Sequence, residues 1–480
     1  MADASNSTEA AAMTEAAPTV PEAVPEVAPE AAAPAPQPLP WTPLQRAGFR
    51  IAFLYFFCFI FFFGNGTIFQ LFFIVGEWIE TALNWPFQHL AEWTGQHVFH
   101  LTGIAAHWHP TGSGDTTLNW IQNGLFLVFA VVGGLLWTAI AVARGNRRLE
   151  YTTLDNWLRF GVRLTCVMFM FIYGWSKLFP LQMAPISIAI LNEPLGQSSP
   201  MTFLWALIGM NPIYEMICGL AEVVGGLLLM FRRTALAGAL FSAFVIANVV
   251  LYNFFFDVPV KIFAANLLLA LLFLALPDLR ALFSFFWKHE PAAPVAVWIP
   301  PASRKGFRFT LRVVEGVFTY GYLVGLPILI GIGWFQNVAE SRMQTPLLGA
   351  WHLDATHPAS GPFLTPEGLP STDLYIDTAQ RAFRRSSDGA LWRTGLTISN
   401  QAHTIKVSAM LAEPVTYAWQ MPDPNHLILT STPPKPDPKA KEKAKPFTPA
   451  VLTLTRTPTP SHYPLLDRGF HFVNQWGLER

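Results

Sequence analysis

Residues 51–63 read IAFLYFFCFIFFF, and residues 264–276 read AANLLLALLFLAL. A helix built from either stretch is apolar on every face, which is typical of a membrane span and not of a helix on the surface of a soluble core. A helix needs about 20 mostly apolar residues to cross the hydrocarbon layer. We therefore predict an all-α polytopic transmembrane helical bundle. About seven windows qualify, near 49–76, 119–143, 156–178, 211–231, 234–256, 259–283 and 313–337.

The composition agrees with a membrane protein that carries soluble appendages. Of 480 residues, 52% are hydrophobic and 13% are charged, and the formal net charge is zero. Average soluble domains carry about 25% charged residues. The balanced charge excludes a basic nucleic-acid-binding protein, and the 3 cysteines exclude a disulfide-stapled scaffold. The expected partners are a lipid bilayer and other membrane or extracytoplasmic proteins, with no nucleic acid.

Three compositional regions follow one another along the chain. Residues 1–45 are rich in Ala, Pro and Glu, so they are expected to form a disordered cytoplasmic tail. Residues 46–340 hold the apolar windows and form the predicted transmembrane domain. Residues 345–480 have a different periodicity and form a separate predicted domain. Within it, residues 433–447 are rich in Lys and Pro and predict a flexible loop.

The last region predicts an extracytoplasmic all-β domain. Segments such as GAWHLDA at 349–355 and DLYID at 373–377 are short, alternate apolar with polar residues and are separated by turn residues. We expect about seven or eight strands in an antiparallel sandwich or small barrel. This region also contains a group of basic and aromatic residues that has two interpretations, a basic-aromatic face or a solvated strand edge. The residues are Arg381, Arg384, Arg385, Trp392 and Arg393.

Lysine and arginine are distributed unevenly among the connecting loops. Arg232 and Arg233 separate the fourth and fifth windows, and residues 280–312 hold six more basic residues. Residues 77–118 and 179–208 contain none. Basic residues collect in cytoplasmic loops. The pattern predicts a bacterial-type inner (plasma) membrane protein with a cytoplasmic N-terminus and an extracytoplasmic C-terminal domain. The second outer loop, broken by prolines, is expected to fold back over the mouth of the bundle.

Ionisable side chains lie inside two neighbouring windows. A charge within the bilayer is costly and normally faces the bundle interior. Arg163 and Lys177 are fourteen residues apart in the third window, and Glu215 and Glu222 are seven apart in the fourth, so each set shares a helix face. The helices are antiparallel, and depth was compared with a rise of about 1.5 Å per residue. The comparison predicts a Lys177–Glu215 pair and an Arg163–Glu222 pair, the second direct or bridged by water.

Polar residues of the next two spans could join the same interior. Three interpretations are open: the charges lock the helix register, they form a functional pocket for a head group, a quinone or a proton, or a span boundary is misplaced. The residues of this hypothetical intramembrane cluster are Arg163, Lys177, Glu215, Glu222, Asn248, Asp257 and Asn266, and Asn253 and Lys261 add further polarity.

Other chemical motifs give no catalytic or metal assignment. His97 and His100 have an i, i+3 spacing that some metal sites use, but no Cys pair or matched carboxylate motif accompanies them. Cys58, Cys166 and Cys218 each lie in a window without a CxxC motif, so we interpret them as packing residues. The sequence has no recognisable nucleophile–base pair and no dinucleotide fingerprint. Whether the chain is an enzyme stays open.

Four stretches between residues 156 and 283 carry a family resemblance: NWLRFGVRL, FIYGWSKLFP, GLAEVVGGLLLMFRRTALAGAL and FFFDVPVKIFAANLLLALLFLALPDL. Together they resemble the four-helix DoxX family over about a quarter of the chain. TGSGDTTLNW, GAW and DRGFHFVNQW resemble a longer, uncharacterised DoxX-like group. By this resemblance Arg163, Lys177 and Glu222 would be the polar positions of the family. DoxX relatives include membrane subunits of thiosulfate:quinone oxidoreductases, which implies a quinone-side role; such a subunit need not be catalytic itself.

These observations lead to three functional expectations. The first is a redox- or quinone-associated membrane subunit, for which quinone is the candidate cofactor. The second, of equal rank, is a non-enzymatic envelope protein whose helices anchor the β domain for partner interaction. The third, a carrier of small molecules or lipids, ranks lower because inverted repeats and paired broken helices are not evident.

Overall fold

The computed structural model describes residues 40–63, 73–109, 114–145, 150–183, 185–291, 305–354, 361–409, 412–433 and 448–467. Most of the predicted disordered tail, nearly all of the Lys/Pro-rich loop and all of the DRGFHFVNQW motif after Asp467 lie outside these residues. The last residues of the predicted tail, 43–45, are helical, so the tail prediction is wrong there.

The described α-helices follow one another from the start of the bundle to the short helix after the last strand. In chain order they are α1 (Pro43–Phe62), α2 (Phe73–His97), α3 (Thr117–Ala143), α4 (Thr152–Leu178), α5 (Ile188–Leu191), α6 (Pro200–Gly209), α7 (Pro212–Met230), α8 (Ala235–Phe255), α9 (Lys261–Ala275), α10 (Leu279–Lys288), α11 (Lys305–Tyr320), α12 (Leu326–Ser341) and α13 (Pro464–Asp467).

Seven helical stretches of the described chain are long and apolar enough to cross a membrane. Five are single helices: α1, α3, α4, α7 and α8. The sixth joins α9 to α10 through the short 3-10 turn Leu276–Asp278, and the seventh joins α11 to α12 through the π-helical turn Gly321–Gly325. The number agrees with the seven windows in the sequence.

The core of the bundle is aromatic and rich in methionine. Such side chains bury large apolar areas and fill irregular gaps between helices. The largest fully buried side chains of the described bundle are Phe59, Met168, Phe169, Met170, Phe171, Leu229, Leu267 and Leu271. Four of these come from consecutive positions of α4, so this turn of α4 is enclosed on all sides.

The C-terminal domain is a closed antiparallel barrel of eight strands in chain order, in which β8 pairs with β1. This is the barrel alternative of the two predicted architectures. The strands are β1 (Gly349–Leu353), β2 (Ser371–Ile376), β3 (Arg381–Ser386), β4 (Leu391–Ser399), β5 (Thr404–Ala409), β6 (Ala412–Asp423), β7 (His426–Ser431) and β8 (Val451–Thr457). Apolar side chains alternate onto the inner face and fill it.

Arg384 does not belong to the basic-aromatic face predicted for the barrel, so that part of the prediction is wrong. Successive strand residues point to opposite faces, and Arg384 points inward, where it is 2% exposed. Its guanidinium donates to Thr394 Oγ1 at 2.8 Å and to Ser371 Oγ at 3.1 Å. Arg393 is exposed, and Arg385 is half-buried on the outer face of β3.

The barrel contacts the loop between α4 and α7. The backbone N–H of Ile188, at the start of α5, donates to Asp377 Oδ1 at 2.8 Å. Ala189 packs with Ala350 and Tyr375 in a small buried apolar cluster. The barrel therefore lies at the end of the bundle where α4 ends and α7 begins. We call this the barrel end, and the opposite end the basic end.

Candidate site: a buried ion pair beside a cavity

Two glycines bring α4 and α7 into backbone contact. A Cβ atom on Gly219 would lie 2.6 Å from the carbonyl oxygen of Gly174, and one on Gly174 would lie 2.9 Å from the backbone nitrogen of Val223. Residues three apart on a helix are surface neighbours. Lys177 follows Gly174 by three positions and Glu222 follows Gly219 by three. The close approach therefore turns Lys177 and Glu222 towards each other.

Lys177 and Glu222 form a buried ion pair. Nζ of Lys177 donates to both carboxylate oxygens of Glu222, each at 2.8 Å. The two side chains are 5% and 4% exposed. The Tyr173 ring lies one helical turn before the lysine, with its centre 5.6 Å from Nζ. A pair this well enclosed keeps its charges only because each compensates the other.

The two pairings predicted from the sequence are therefore wrong. Glu222 uses both oxygens on Lys177, and no described ion pair links it to Arg163. Arg163 is fourteen residues from Lys177 along α4, a distance of about 21 Å at the usual helical rise. It lies near the basic end, whereas the pair lies near the barrel end.

Glu215 interacts with the loop after α4 and not with Lys177 directly. Its Oε1 accepts the backbone N–H groups of Gln182 at 3.2 Å and Met183 at 2.9 Å. Glu215 is 1% exposed, and its Oε2 has no hydrogen-bond partner within the described chain. Because α7 begins beyond the last turn of α4, Glu215 lies at the level of the loop that follows α4. It does not lie at the level of Lys177, as the predicted pair requires.

A cavity opens beside the ion pair, between α4, α8, α9 and the returning loop. The volume of this cavity is about 50 Å³. That volume holds a few water molecules or one small chemical group. Aromatic and aliphatic side chains form most of the wall, among them Phe169, Tyr173, Trp205, Tyr252 and Phe263. Trp205 belongs to α6, so the described part of this loop folds back over the bundle as predicted.

Three polar groups at this cavity have unused hydrogen-bonding capacity. Asn253 is 1% exposed; its Nδ2 donates to the Val260 carbonyl at 3.4 Å, but its Oδ1 has no donor among the described residues. The ammonium of Lys177 has three N–H donors and uses two on Glu222. Gln182 also lines the cavity, and its Oε1 has no donor within the described chain. The described cavity wall thus provides one free donor and two free acceptors.

Two residues of the predicted cluster are exposed. Asn248 lies on the outer face of α8, whereas Ile246, two positions earlier, lines the cavity; residues two apart on a helix do not face the same side. Asp257 lies beyond the end of α8, is 78% exposed and pairs with Lys261 at 2.6 Å. Their assignment to a buried interior is therefore wrong.

Asn266 is buried, but in a separate network. The Tyr55 hydroxyl donates to Asn266 Oδ1, and Asn266 Nδ2 donates to Asn123 Oδ1 at 3.1 Å. This network joins α9 to α1 and α3. Asn266 therefore points away from the cavity, which the neighbouring Ala264 and Leu267 line.

Sequence reasoning missed the aromatic wall of the cavity. Tyr173 is four residues before Lys177, a spacing that places both on one helix face, so this signal was available. Tyr252 is adjacent in sequence to Asn253, a polar residue of the predicted fifth span. Trp205 had no comparable signal, because it comes from a loop whose path the pattern does not fix.

Two histidines of α2 have local partners. Nδ1 of His89 lies 2.9 Å from the Trp85 carbonyl oxygen, and Nδ1 of His97 lies 2.9 Å from that of Trp93. Each imidazole also contacts the indole one turn earlier, with ring centres 4.2 and 5.1 Å apart. Among residues with described positions, no group of three or more His, Cys, Asp or Glu side chains is placed to hold a metal.

The fold and the site define a helical bundle with seven span-length helices, a buried ion pair at a small aromatic cavity, and an eight-stranded β-barrel. One relative is the Bacillus subtilis (strain 168) protein named "Uncharacterized protein YwoB". It is 30% identical over 129 residues, which cover 27% of this chain and 81% of YwoB. Over that stretch the chain belongs to the same family as YwoB, whose name states no activity. No family model matches the chain. No solved structure matches it.

Proposed function

We propose that this chain is a multi-pass inner-membrane protein of the DoxX-like type, whose cavity binds the polar head of a lipid-soluble molecule. The seven span-length helices support membrane insertion. Segments 77–118 and 179–208, which connect the spans at the barrel end, lack Lys and Arg. Arg232 and Arg233 lie at the basic end. By the positive-inside rule, this distribution supports a cytoplasmic basic end and an extracytoplasmic barrel.

The observation that carries the ligand proposal is the position of the Lys177–Glu222 pair on the wall of an otherwise apolar cavity. Desolvating two charges is costly, and apolar residues of similar volume would often stabilise such an interior equally well. The pair therefore suits a binding role. The remaining N–H of Lys177 can donate to a carbonyl oxygen, and Oδ1 of Asn253 can accept from a hydroxyl.

A quinone fits this pattern better than a charged solute. Its carbonyl oxygens accept hydrogen bonds, its reduced form donates them, and its apolar ring suits the aromatic wall. The cavity of about 50 Å³ is smaller than the roughly 150 Å³ that a benzene-sized ring fills, so the quinone ring enters only when wall side chains move, and the isoprenoid tail stays outside. In this proposal the chain supplies the binding site as a redox-associated subunit, and a partner protein supplies or accepts the electrons.

The proposal is tested by quinone binding to the full-length protein in nanodiscs. We expect decylubiquinone to quench tryptophan fluorescence saturably, because Trp205 lines the cavity. In the double variant K177M/E222L, which removes both charges together, affinity should fall at least about tenfold, the effect of losing a hydrogen bond to a charged donor. K261M is the matched control, because Lys261 pairs outside the cavity with Asp257.

Saturable binding that K177M/E222L weakens and K261M does not would support the proposal. Absence of saturable quenching in the wild type would overturn it. Equal affinity in wild type and the double variant, both eluting as single species, would assign the quinone to another surface.

A second candidate is an envelope protein that presents its barrel to a partner. It is favoured by the direct contact between α5 and the barrel, through Ile188 and Asp377, which holds the barrel against the bundle. Crosslinking in intact cells from a photoreactive residue at exposed Lys406 tests it. A defined partner that crosslinks at Lys406 and not at Arg144, on the basic end, is the expected result.

A further inference from the structure

Arg163 lies within α4, and no acidic side chain of the described chain is in direct contact with it. Its side chain is half-buried, and its guanidinium carbon lies 5.8 Å from the centre of the Phe160 ring. Within the described chain it makes no hydrogen bond or ion pair. A cation placed inside a span normally pairs with an anion or reaches the interface. Arg163 therefore has unused binding capacity.

A second arginine faces the same place from the turn between α7 and α8. A Cβ on Gly226 would lie 3.3 Å from atoms of Met170 and Phe171, which fixes the antiparallel register of α4 and α7. Arg232 follows Gly226 by six residues, in the turn just beyond the end of α7 at Met230, so it lies near the level of Arg163 on α4. The charges of Arg163 and Arg232 are close enough to interact through space, and the Glu315 carboxylate is within the same range.

The acidic charge near these arginines is insufficient to neutralise them. The Glu315 carboxylate lies 3.6 Å from a terminal nitrogen of Arg232, and its side chain is 64% exposed. Arg233, next in the turn, is also exposed. Two or three positive groups thus share one carboxylate. The N-terminus of α8 begins here too, and its N-cap residue Thr234 makes no side-chain cap, which adds partial positive charge.

We propose that Arg163 and Arg232 bind the phosphate group of an anionic phospholipid at the basic end of the bundle. Guanidinium groups match phosphate oxygens with paired hydrogen bonds. Basic pockets between spans on the cytoplasmic side are suited to lipid head groups. Phe231, 56% exposed beside Arg232, offers apolar surface to an acyl chain. The inference rests on the proposed membrane insertion but not on quinone binding at the barrel end.

The test compares lipid retention by the full-length protein in nanodiscs of mixed phosphatidylglycerol and phosphatidylcholine, followed by native mass spectrometry. We expect wild type to retain phosphatidylglycerol in preference. R163Q and R232Q should each reduce that retention roughly fivefold, the effect of one interfacial basic residue. R163K, which keeps the charge, should retain most of it and serves as a folding control. R144Q is the matched control, because Arg144 is exposed at the same end.

Equal reductions in R163Q, R232Q and R144Q would overturn the proposal, since they would indicate general surface attraction. Unchanged retention in R163Q would overturn it as well. A second arm adds inorganic phosphate at millimolar concentration. The lipid assignment predicts that phosphate does not displace phosphatidylglycerol. Displacement, together with phosphate binding that R163Q abolishes, would assign the site to a soluble anion and reject the lipid.

Discussion

The ammonium of Lys177 donates to both carboxylate oxygens of Glu222 at 2.8 Å, across a helix contact that excludes nearly all solvent. This symmetrical arrangement leaves neither carboxylate oxygen unbonded. It also makes the two charges interdependent, because removing one leaves the other buried without a counter-ion. The pair is consequently a sensitive point for both folding and ligand binding.

Single substitutions at this pair should destabilise the protein more than the double substitution. We expect K177M or E222L alone to cost about 3–5 kcal/mol, because each leaves an uncompensated buried charge. K177M/E222L should cost much less, since apolar side chains of similar volume replace both. The measurement is the thermal unfolding midpoint in detergent. D257N, which removes an exposed pair with Lys261, should change stability by about 0–1 kcal/mol. A double variant less stable than both singles would contradict the interpretation.

The contact between Gly219 and Gly174 should also be sensitive to substitution, although less than the ion pair. G219A places a methyl group 2.6 Å from the Gly174 carbonyl oxygen, a backbone atom that cannot rotate away. The helices must separate, so we expect a loss of about 1–3 kcal/mol and weaker pairing of Lys177 with Glu222. G124A is the control: no atom lies within 4 Å of its added methyl group, and alanine favours helix by about 1 kcal/mol. Equal melting temperatures for the two variants would disprove the close contact.

Much of the architecture follows from the sequence because span length and strand alternation are local properties. Seven apolar windows give seven span-length helices, and alternation after residue 345 gives an antiparallel β domain. The residues that carry charge inside the helices were also visible. Closure into a barrel rather than a sandwich was not, because it depends on the pairing of β1 with β8, about 100 residues apart.

The pairing of charges could not be predicted from depth alone. It depends on Gly174 and Gly219, whose contact sets the register of α4 against α7. It depends also on the path of the intervening loop, which moves the first turn of α7 past the end of α4 and brings Glu215 to Met183. Neither feature has a sequence signal when each helix is considered by itself.

Asp377 should make stability fall as pH rises. Burial raises the pKa of its carboxyl above the ordinary value of 3.8, although Arg381 and the Ile188 N–H oppose the rise. The folded protein therefore holds the proton more tightly, so this contribution to stability is complete below pH 3.8 and is lost as pH rises through the folded pKa. We expect the melting temperature of wild type minus that of D377N to decrease across this window.

Asp388 provides a control of opposite sign. Hydrogen bonds from the Ser386 hydroxyl and the Ala390 N–H lower the pKa of this exposed carboxyl below 3.8. Its contribution is present above that value and lost as pH falls. The difference between wild type and D388N should therefore shrink on acidification. A D377N difference that does not vary with pH would contradict the burial of Asp377 against α5.

Labelling of single cysteines in intact cells tests the proposed orientation. Lys406 on the barrel and Arg144 at the basic end are both exposed. A membrane-impermeant maleimide should label K406C in intact cells and R144C only after permeabilisation, because the barrel is proposed to lie outside. Wild type, whose cysteines include the buried Cys58 and Cys166, gives the background. Labelling of R144C but not K406C in intact cells would reverse the topology.

Arg384 should be the basic residue on which the barrel depends most. Its buried guanidinium donates to Thr394, Ser371 and the Leu364 carbonyl, so R384A leaves these acceptors unpaired and a cavity in the wall of the core. We expect a loss of about 3 kcal/mol and faster proteolysis within the barrel. R384M keeps much of the volume and should lose less. R393A removes an exposed arginine from the next strand and should change stability by less than about 0.5 kcal/mol. If R384A and R393A had the same effect, the inward orientation of Arg384 would be refuted, because only a buried side chain can produce the difference.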